Sequence, residues 1–258
     1  MRVGLIAPPW LPVPLERYGG TEAVVDRLAR GLVNAGHEVL LAAPQGSTCP
    51  VPQVPGLPLS DPARTGATVV EVPYTFSAYE ALRRVDVVHD HTVAGPLCNP
   101  PVAGVPVAVT NHGPFDAQTN PIYRAIGKRA AVIAISRHQA GTARGVPIAR
   151  VIHHGIDVDA VPVGAGTGGY ACFLGRMTPD KGVREAILTA RAAGIPLRIA
   201  AKMREPAELR YFERSVRPLL GQDADYLGEL NAADKYALLG GALALVNPLR
   251  WPSRSAWS

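Results

Sequence analysis

Between Val3 and Ala43 the chain leaves one short apolar run, crosses a helix and enters a second apolar run. No other stretch limits the fold so strongly. Val3 to Ala7 reads as a buried strand, and Pro8 to Tyr18 as a proline-rich loop. Gly19, Gly20, Thr21 and Glu22 open a helix with Thr21 as the expected N-cap. Val24, Val25, Leu28, Ala29, Leu32 and Val33 recur at helical spacing on one face, and Gly36 stops the helix. Glu38 to Ala43 is the second strand. Two such strands joined through a helix pair in parallel, so an α/β chain with a parallel sheet is predicted.

The pattern then repeats. Gln45 to Pro62 is rich in Pro, Gly and Ser and reads as a loop. Strands are expected at Thr68–Val72, Val85–His89, Val105–Thr110, Ala131–Ile135 and Ala149–Ile152, in a doubly wound sheet. Ligands of such sheets sit beyond the carboxyl ends of the strands. Polar residues gather at those ends: His89, Asp90 and His91, then Asn111, His112 and Gly113, then Ser136, then His153, His154 and Gly155. A lone histidine is more often structural than functional, but four strand ends on one side of a sheet are harder to dismiss. A second unit begins at Ala171–Leu174. It continues as a helix from Asp180 to Ala193, a strand at Leu197–Ala201 and a helix over Pro206–Leu219. A strand near Tyr226, a helix over Ala232–Leu239 and an apolar strand at Ala242–Val246 follow. The expected division is residues 1–160, a linker at 161–169 and a second domain at 170–258.

Composition narrows the functional classes. Among 258 residues, 26 Lys and Arg stand against 21 Asp and Glu, a net charge of +5 with no basic run, which argues against nucleic acid as partner. An excess of cations equally suits an enzyme for anionic nucleotides. Cys49, Cys98 and Cys172 are scattered and unpaired by spacing, as reduced thiols in cytoplasm would be. No apolar run approaches the ~20 residues that span a bilayer; peripheral membrane contact stays open.

The passage from Phe173 to Gly182 carries the most chemistry. A strand end, Gly175 and a helix start bring backbone N–H groups to one point, and Arg176 and Lys181 add two cations there. That is a grip for a diphosphate, although an ordinary βα turn with two solvated cations would read the same.

Gly175-Arg176 followed by Lys181-Gly182 after a strand resembles the donor-binding segment of the GT-B glycosyltransferases, specifically the retaining family 4. The resemblance implies that Arg176 and Lys181, beside Gly175, hold the diphosphate of a nucleotide-sugar. It gives Tyr18, Gly19, Gly20, Thr21 and Glu22 the place of a glycine loop near the donor phosphate and the acceptor. Asp86 to His91 resembles the strand motif lining the cleft, with His91 on its acceptor side. His112, within Thr110 to Gly113, matches the histidine that contacts the donor sugar and is the catalytic candidate. Ile152 to Asp157 resembles the segment closing the first domain, with His154 where asparagine is usual. Tyr226 to Leu230 resembles the loop beneath the nucleotide base, so Gly228 and Glu229 are expected there. Asn247 to Pro252 resembles the run leading to the central active-site motif.

Three rival motifs are present in the sequence. Gly164, Gly166, Gly168 and Gly169 spell GxGxxG, but they precede a strand where the dinucleotide fingerprint follows one. Asp157 and Asp159 spell the metal-binding DxD of the GT-A fold, yet helix capping explains them better before a linker. His89 and His91 could be two zinc ligands of a metal hydrolase, but no further ligand falls at a recognisable spacing.

After Trp251 and Pro252 a family member usually reads Glu-Pro-Phe-Gly-Leu-Val-Met, whereas this chain reads Ser253-Arg254-Ser255-Ala256-Trp257-Ser258. Written in GC-rich codons, the usual motif minus its first base translates as Ser-Arg-Ser-Ala-Trp-Ser-stop. The expectation is therefore a GT-B glycosyltransferase with its second Rossmann-like domain cut short by a frameshift, either a one-base deletion or a sequencing error, and its activity impaired. Hexose transfer would go from a nucleoside-diphosphate-sugar to an unknown saccharide, lipid or small-molecule acceptor, with retention and without metal or other cofactor. A non-catalytic nucleotide-binding fragment and the metal hydrolase are the alternatives.

Overall fold

The computed structural model describes residues 1–15, 19–98 and 104–249, without the Cys98 side chain. Tyr18, Arg250, Trp251, Pro252 and the tail after them lie outside the described residues. By contacts the chain forms two units, one running to Ile156 and one beginning at Asp157.

The first unit is a six-stranded parallel sheet in the order β2-β1-β3-β4-β5-β6. The strands are β1 (Arg2–Ile6), β2 (Glu38–Ala42), β3 (Val87–Asp90), β4 (Val107–Asn111), β5 (Ala131–Ala134) and β6 (Ile148–Val151). The helices are α1 (Gly20–Asn34), α2 (Thr68–Ala81), α3 (Gly95–Cys98), α4 (Thr119–Ile126) and α5 (Arg137–Thr142). Alternate residues of β1 point to opposite faces. Val3 and Leu5 pack with Val25 and Ala29 of α1, while Ile6 packs with Tyr74 and Ala78 of α2. Helices thus cover both faces, and each fully buried Leu or Ile contributes about 1.5–3 kcal/mol. The strand order reverses between β2 and β3, on either side of β1.

Two expectations are corrected. Thr68–Val72 is the first part of α2, not a strand. Its β-branched run favours extended chain locally, but Tyr74, Ala78 and Leu82 recur every four residues and are all buried. Burying that stripe outweighs a weak local preference, and Val69 is left exposed. The Tyr74 hydroxyl also donates to the Ala42 carbonyl at 3.0 Å. Thr21 is not the cap of α1. Gly19 is, with extended backbone and its carbonyl accepting from the Ala23 N–H.

The second unit is a four-stranded parallel sheet, β10-β7-β8-β9. Its strands are β7 (Ala171–Arg176), β8 (Leu197–Lys202), β9 (Ala224–Gly228) and the two-residue β10 (Ala244–Leu245). The helices α6 (Val183–Ala192), α7 (Pro206–Tyr211) and α8 (Ala232–Gly241) connect them. Phe173, Met177, Val183, Ile187, Leu197 and Ile199 form the main core. The helix expected from Asp180 is instead a 3-10 turn, Pro179–Lys181, then α6. Gly182 stands between them at φ 74°, a left-handed conformation that breaks α-helical continuity. The helix expected over Pro206–Leu219 loosens after Tyr211 into a π-turn and a 3-10 turn.

The GxGxxG run leads straight into β7 and serves α8. The Gly166 and Gly168 N–H groups donate to the Gly240 and Gly241 carbonyls at 2.9 and 2.8 Å, satisfying acceptors that a helix end leaves open. A Cβ on Gly164 would come within 2.0 Å of the Gly240 Cα.

Candidate functional site

In the second unit the chain turns away from β7 and β8 around a cleft of ≈ 260 Å³. Gly175, Lys181, Lys202, Glu229 and Lys235 line it together with Leu174, Ala200, Ala201 and Leu230. Three of the expected site residues, Gly175, Lys181 and Glu229, are therefore brought together. Gly228, at φ 81°, makes the turn that delivers Glu229. The Glu229 carboxylate is spanned by both arms of Arg204 at 2.7 and 3.0 Å. Three lysines in a cleft whose one lining carboxylate is already matched by an arginine favour an anionic occupant.

Arg176 is placed differently from expectation. It ends β7, does not line the cleft, and its guanidinium bonds Glu208 at 2.8 Å and Glu205 at 2.7 Å. Burial alone would raise the Glu208 pKa. The Glu205 and Arg204 backbone N–H groups and Arg176 outweigh that and hold it below the usual carboxylate range. Sequence reasoning missed Lys202 and Lys235. Lys202 is the last residue of β8, so the strand-end rule that picked out the histidines would have found it; Lys235 on α8 has no such signal.

In the first unit the strand-end histidines meet. His89, His91, His112 and His154 stack ring on ring, with centroids 4.3, 5.1 and 5.2 Å apart. His89 Nε2 faces the Thr110 hydroxyl at 2.8 Å, and His91 Nδ1 faces His112 Nε2 at 2.8 Å. Burial pushes the His89 pKa down to about 4 and the His112 pKa to about 3, and that of His91 well below its ordinary value. Stacked rings do not aim their lone pairs at one point. Among the described residues, no three His, Cys, Asp or Glu side chains are grouped to hold a metal ion.

The stack also bears on which nitrogen of His112 carries its proton. His91 Nε2 is buried without a partner. If His112 donated to His91, that Nε2 would carry an orphaned N–H, which costs more than an unused acceptor. His91 Nδ1–H therefore donates to His112 Nε2, and His112 keeps its proton on Nδ1. Nitrogen-15 spectra of histidine-labelled protein are expected to show one Nδ1–H tautomer for His112 and a mixture in His91→Phe. A single unchanged tautomer in the variant would remove His91 from this role.

Other strand-end residues turn out to hold the loops. Gln139 Nε2 donates to the carbonyls of Asn111 and Gly113, on either side of His112. Ser136 caps α5 by accepting from the Gln139 N–H. Asp90 is buried and accepts from the Tyr79 hydroxyl and the Thr92 N–H. At the start of α1, Glu22 is buried, and a Cβ on Gly19 would meet its Oε2 at 2.8 Å and Leu15 Cβ at 3.0 Å. Gly20 has open space where a side chain would stand.

Two Rossmann-like α/β units, one with a lysine-lined cleft and one with histidines at its strand ends, define a protein of the GT-B glycosyltransferase fold. The chain belongs to glycosyltransferase family 4, whose model matches residues 18–160. Among solved structures it is similar to AviGT4, a glycosyltransferase involved in Avilamycin A biosynthesis. The two are 26% identical over 93% of this chain and 67% of that one, with a TM-score of 0.68. It also resembles UDP-N-acetylglucosamine 2-epimerase from Rickettsia bellii (13% identity, 95% and 73% coverage, TM-score 0.55). MurG from Acinetobacter baumannii matches at 16% identity, 93% and 71% coverage and a TM-score of 0.50. The last two likenesses are of fold alone. No curated protein matches the chain.

Proposed function

We propose that the protein transfers a hexose from a nucleoside-diphosphate-sugar to an acceptor with retained anomeric configuration. The observation that carries this is the cleft where Gly175, Lys181, Lys202 and Lys235 meet. Its cations suit a diphosphate, the leaving group whose charge grows as the glycosidic bond breaks. Stabilisation by fixed cations does the work that a divalent metal does elsewhere, so the reaction is proposed to be metal-independent. Retention follows the family resemblance.

In this reading Lys181 binds the diphosphate, Gly228 and Glu229 lie on the nucleotide side, and His112 offers Nδ1–H to the donor sugar. The open space at Gly20, with Gly19, Glu22 and His91, is assigned to the acceptor side. The acceptor is a saccharide, a lipid or a small molecule. Among the described residues no helix is long and apolar enough to cross a membrane. The free, buried Cys49 and Cys172 support a reducing compartment, the cytoplasm.

Lys181→Ala tests the carrying observation. Loss of a charge-assisted contact should cost roughly 1.5–3 kcal/mol of nucleoside-diphosphate binding, read by calorimetry. Equal affinity in both proteins would return Lys181 to a solvated surface.

A further inference from the structure

We infer that Glu205 is the resident counter-ion of this cleft, and that an anionic ligand takes its place on Arg176 and Lys202. The inference rests on the proposed diphosphate site and adds Lys202 and Glu205 to it. One carboxylate oxygen carries the argument. Glu205 Oε1 stands 2.7 Å from the Arg176 guanidinium and 3.6 Å from Lys202 Nζ, so two cations share it. Arg176 and Lys202 are paired in the register of β7 and β8, which places both at the carboxyl end of the sheet. Lys202 also lines the cleft.

The two carboxylates on Arg176 differ in how firmly they are held. Glu208 is buried, its side chain only 1% exposed. It accepts from the Arg204 and Glu205 backbone N–H groups at 2.8 and 3.0 Å as well as from Arg176 Nε. Removing it would leave two backbone N–H donors unmatched and take from the half-buried Arg176 its fixed partner. Glu205 is 55% exposed and joins Glu208 in a reciprocal capping box at the start of α7. Exposed ion pairs are weak and screened by solvent, so a doubly charged ligand competes readily for the same cations. Glu208 is thus the fixed partner that orients Arg176, and Glu205 the exchangeable one. In the described state Glu205 draws the guanidinium toward α7, which accounts for Arg176 not lining the cleft.

Glu205→Gln separates the two roles, because glutamine keeps the length and a carbonyl for the cap while removing the charge. The probe is inorganic pyrophosphate, titrated by calorimetry into the full chain. Wild type is expected to bind, Glu205→Gln to bind about two- to five-fold tighter, and Lys202→Met to bind more weakly. Unchanged or weaker binding by Glu205→Gln, with wild type still binding and Lys181→Ala still impaired, would overturn this inference and leave the proposed function standing. Failure of wild type and Glu205→Gln alike to bind would overturn both. Unchanged binding by Lys202→Met would remove Lys202 from the site.

Discussion

The first unit is expected to lose stability steeply as the pH falls below 6.5, because its histidine stack is built for neutral rings. His89 and His112 lie at about 4 and about 3, and His91 is held well below its ordinary 6.5. A histidine whose folded value is depressed contributes fully above its unfolded value and loses that contribution as acid protonates the unfolded chain. Each proton so taken up costs roughly 1.4 kcal/mol per pH unit. Asp90 acts the other way. Burial raises its pKa from 3.8 to about 6, so the folded state gains a proton there between those values, and buried Glu71 is shifted in the same direction. Three histidines against one aspartate leave a net loss of roughly 3 kcal/mol per pH unit near pH 5. His154, lowered by burial and then by Arg27 and His153, adds to it. Thermal midpoints of the full chain between pH 7.5 and 4.5 check this. A flat profile would mean that the rings are not buried neutral. His91→Phe keeps the stack without the titration and should flatten the slope.

Gly182→Ala should destabilise the second unit by roughly 2–4 kcal/mol. The left-handed conformation alone costs a side chain about 1–2 kcal/mol. A Cβ at Gly182 would also lie 2.2 Å from the Pro248 carbonyl oxygen and 3.0 Å from its carbon. Backbone cannot swing aside as a side chain does, so the segment after β10 must shift. Hydrogen exchange of the β7 amides reads the loss within this unit. A change below about 1 kcal/mol would show that Pro248 is not seated against this glycine. The glycine after Lys181 is therefore required by packing.

The sequence disclosed the parallel α/β frame because period and punctuation agree along most of the chain. The crossover from Val3 to Ala43 and the strand at Ala171 are legible in apolar runs closed by glycine. Thr68–Val72 reads as a strand because β-branching at four of its five positions speaks louder than the stripe formed by Tyr74, Ala78 and Leu82 beyond it. The histidine cluster could be anticipated as a set of strand ends, but not as a stack. Ring order depends on strand order, which places β3 beside β4 and is not written locally. Lys181 carried a motif. Lys202 had only its place at a strand end, and Lys235 had no signal, since the approach of α8 brings it to the cleft. The carboxylates that occupy Arg176 lie 29 and 32 residues downstream, beyond the reach of any local pattern.

The glycines that strap the chain to the end of α8 also set the order of events during synthesis. Gly164, Gly166 and Gly168 leave the ribosome long before Gly240 and Gly241, and β7 emerges long before its partner β10. The first strand made in the second unit is an interior one, flanked by the earliest and the latest neighbours available. Its entry segment has no hydrogen-bonding partner until α8 has formed. Closing so long a loop carries an entropic cost that grows only slowly with length, so the delay is one of time more than of free energy. During that interval β7 is exposed along one edge, and β10 cannot pair with it until translation has passed Leu245.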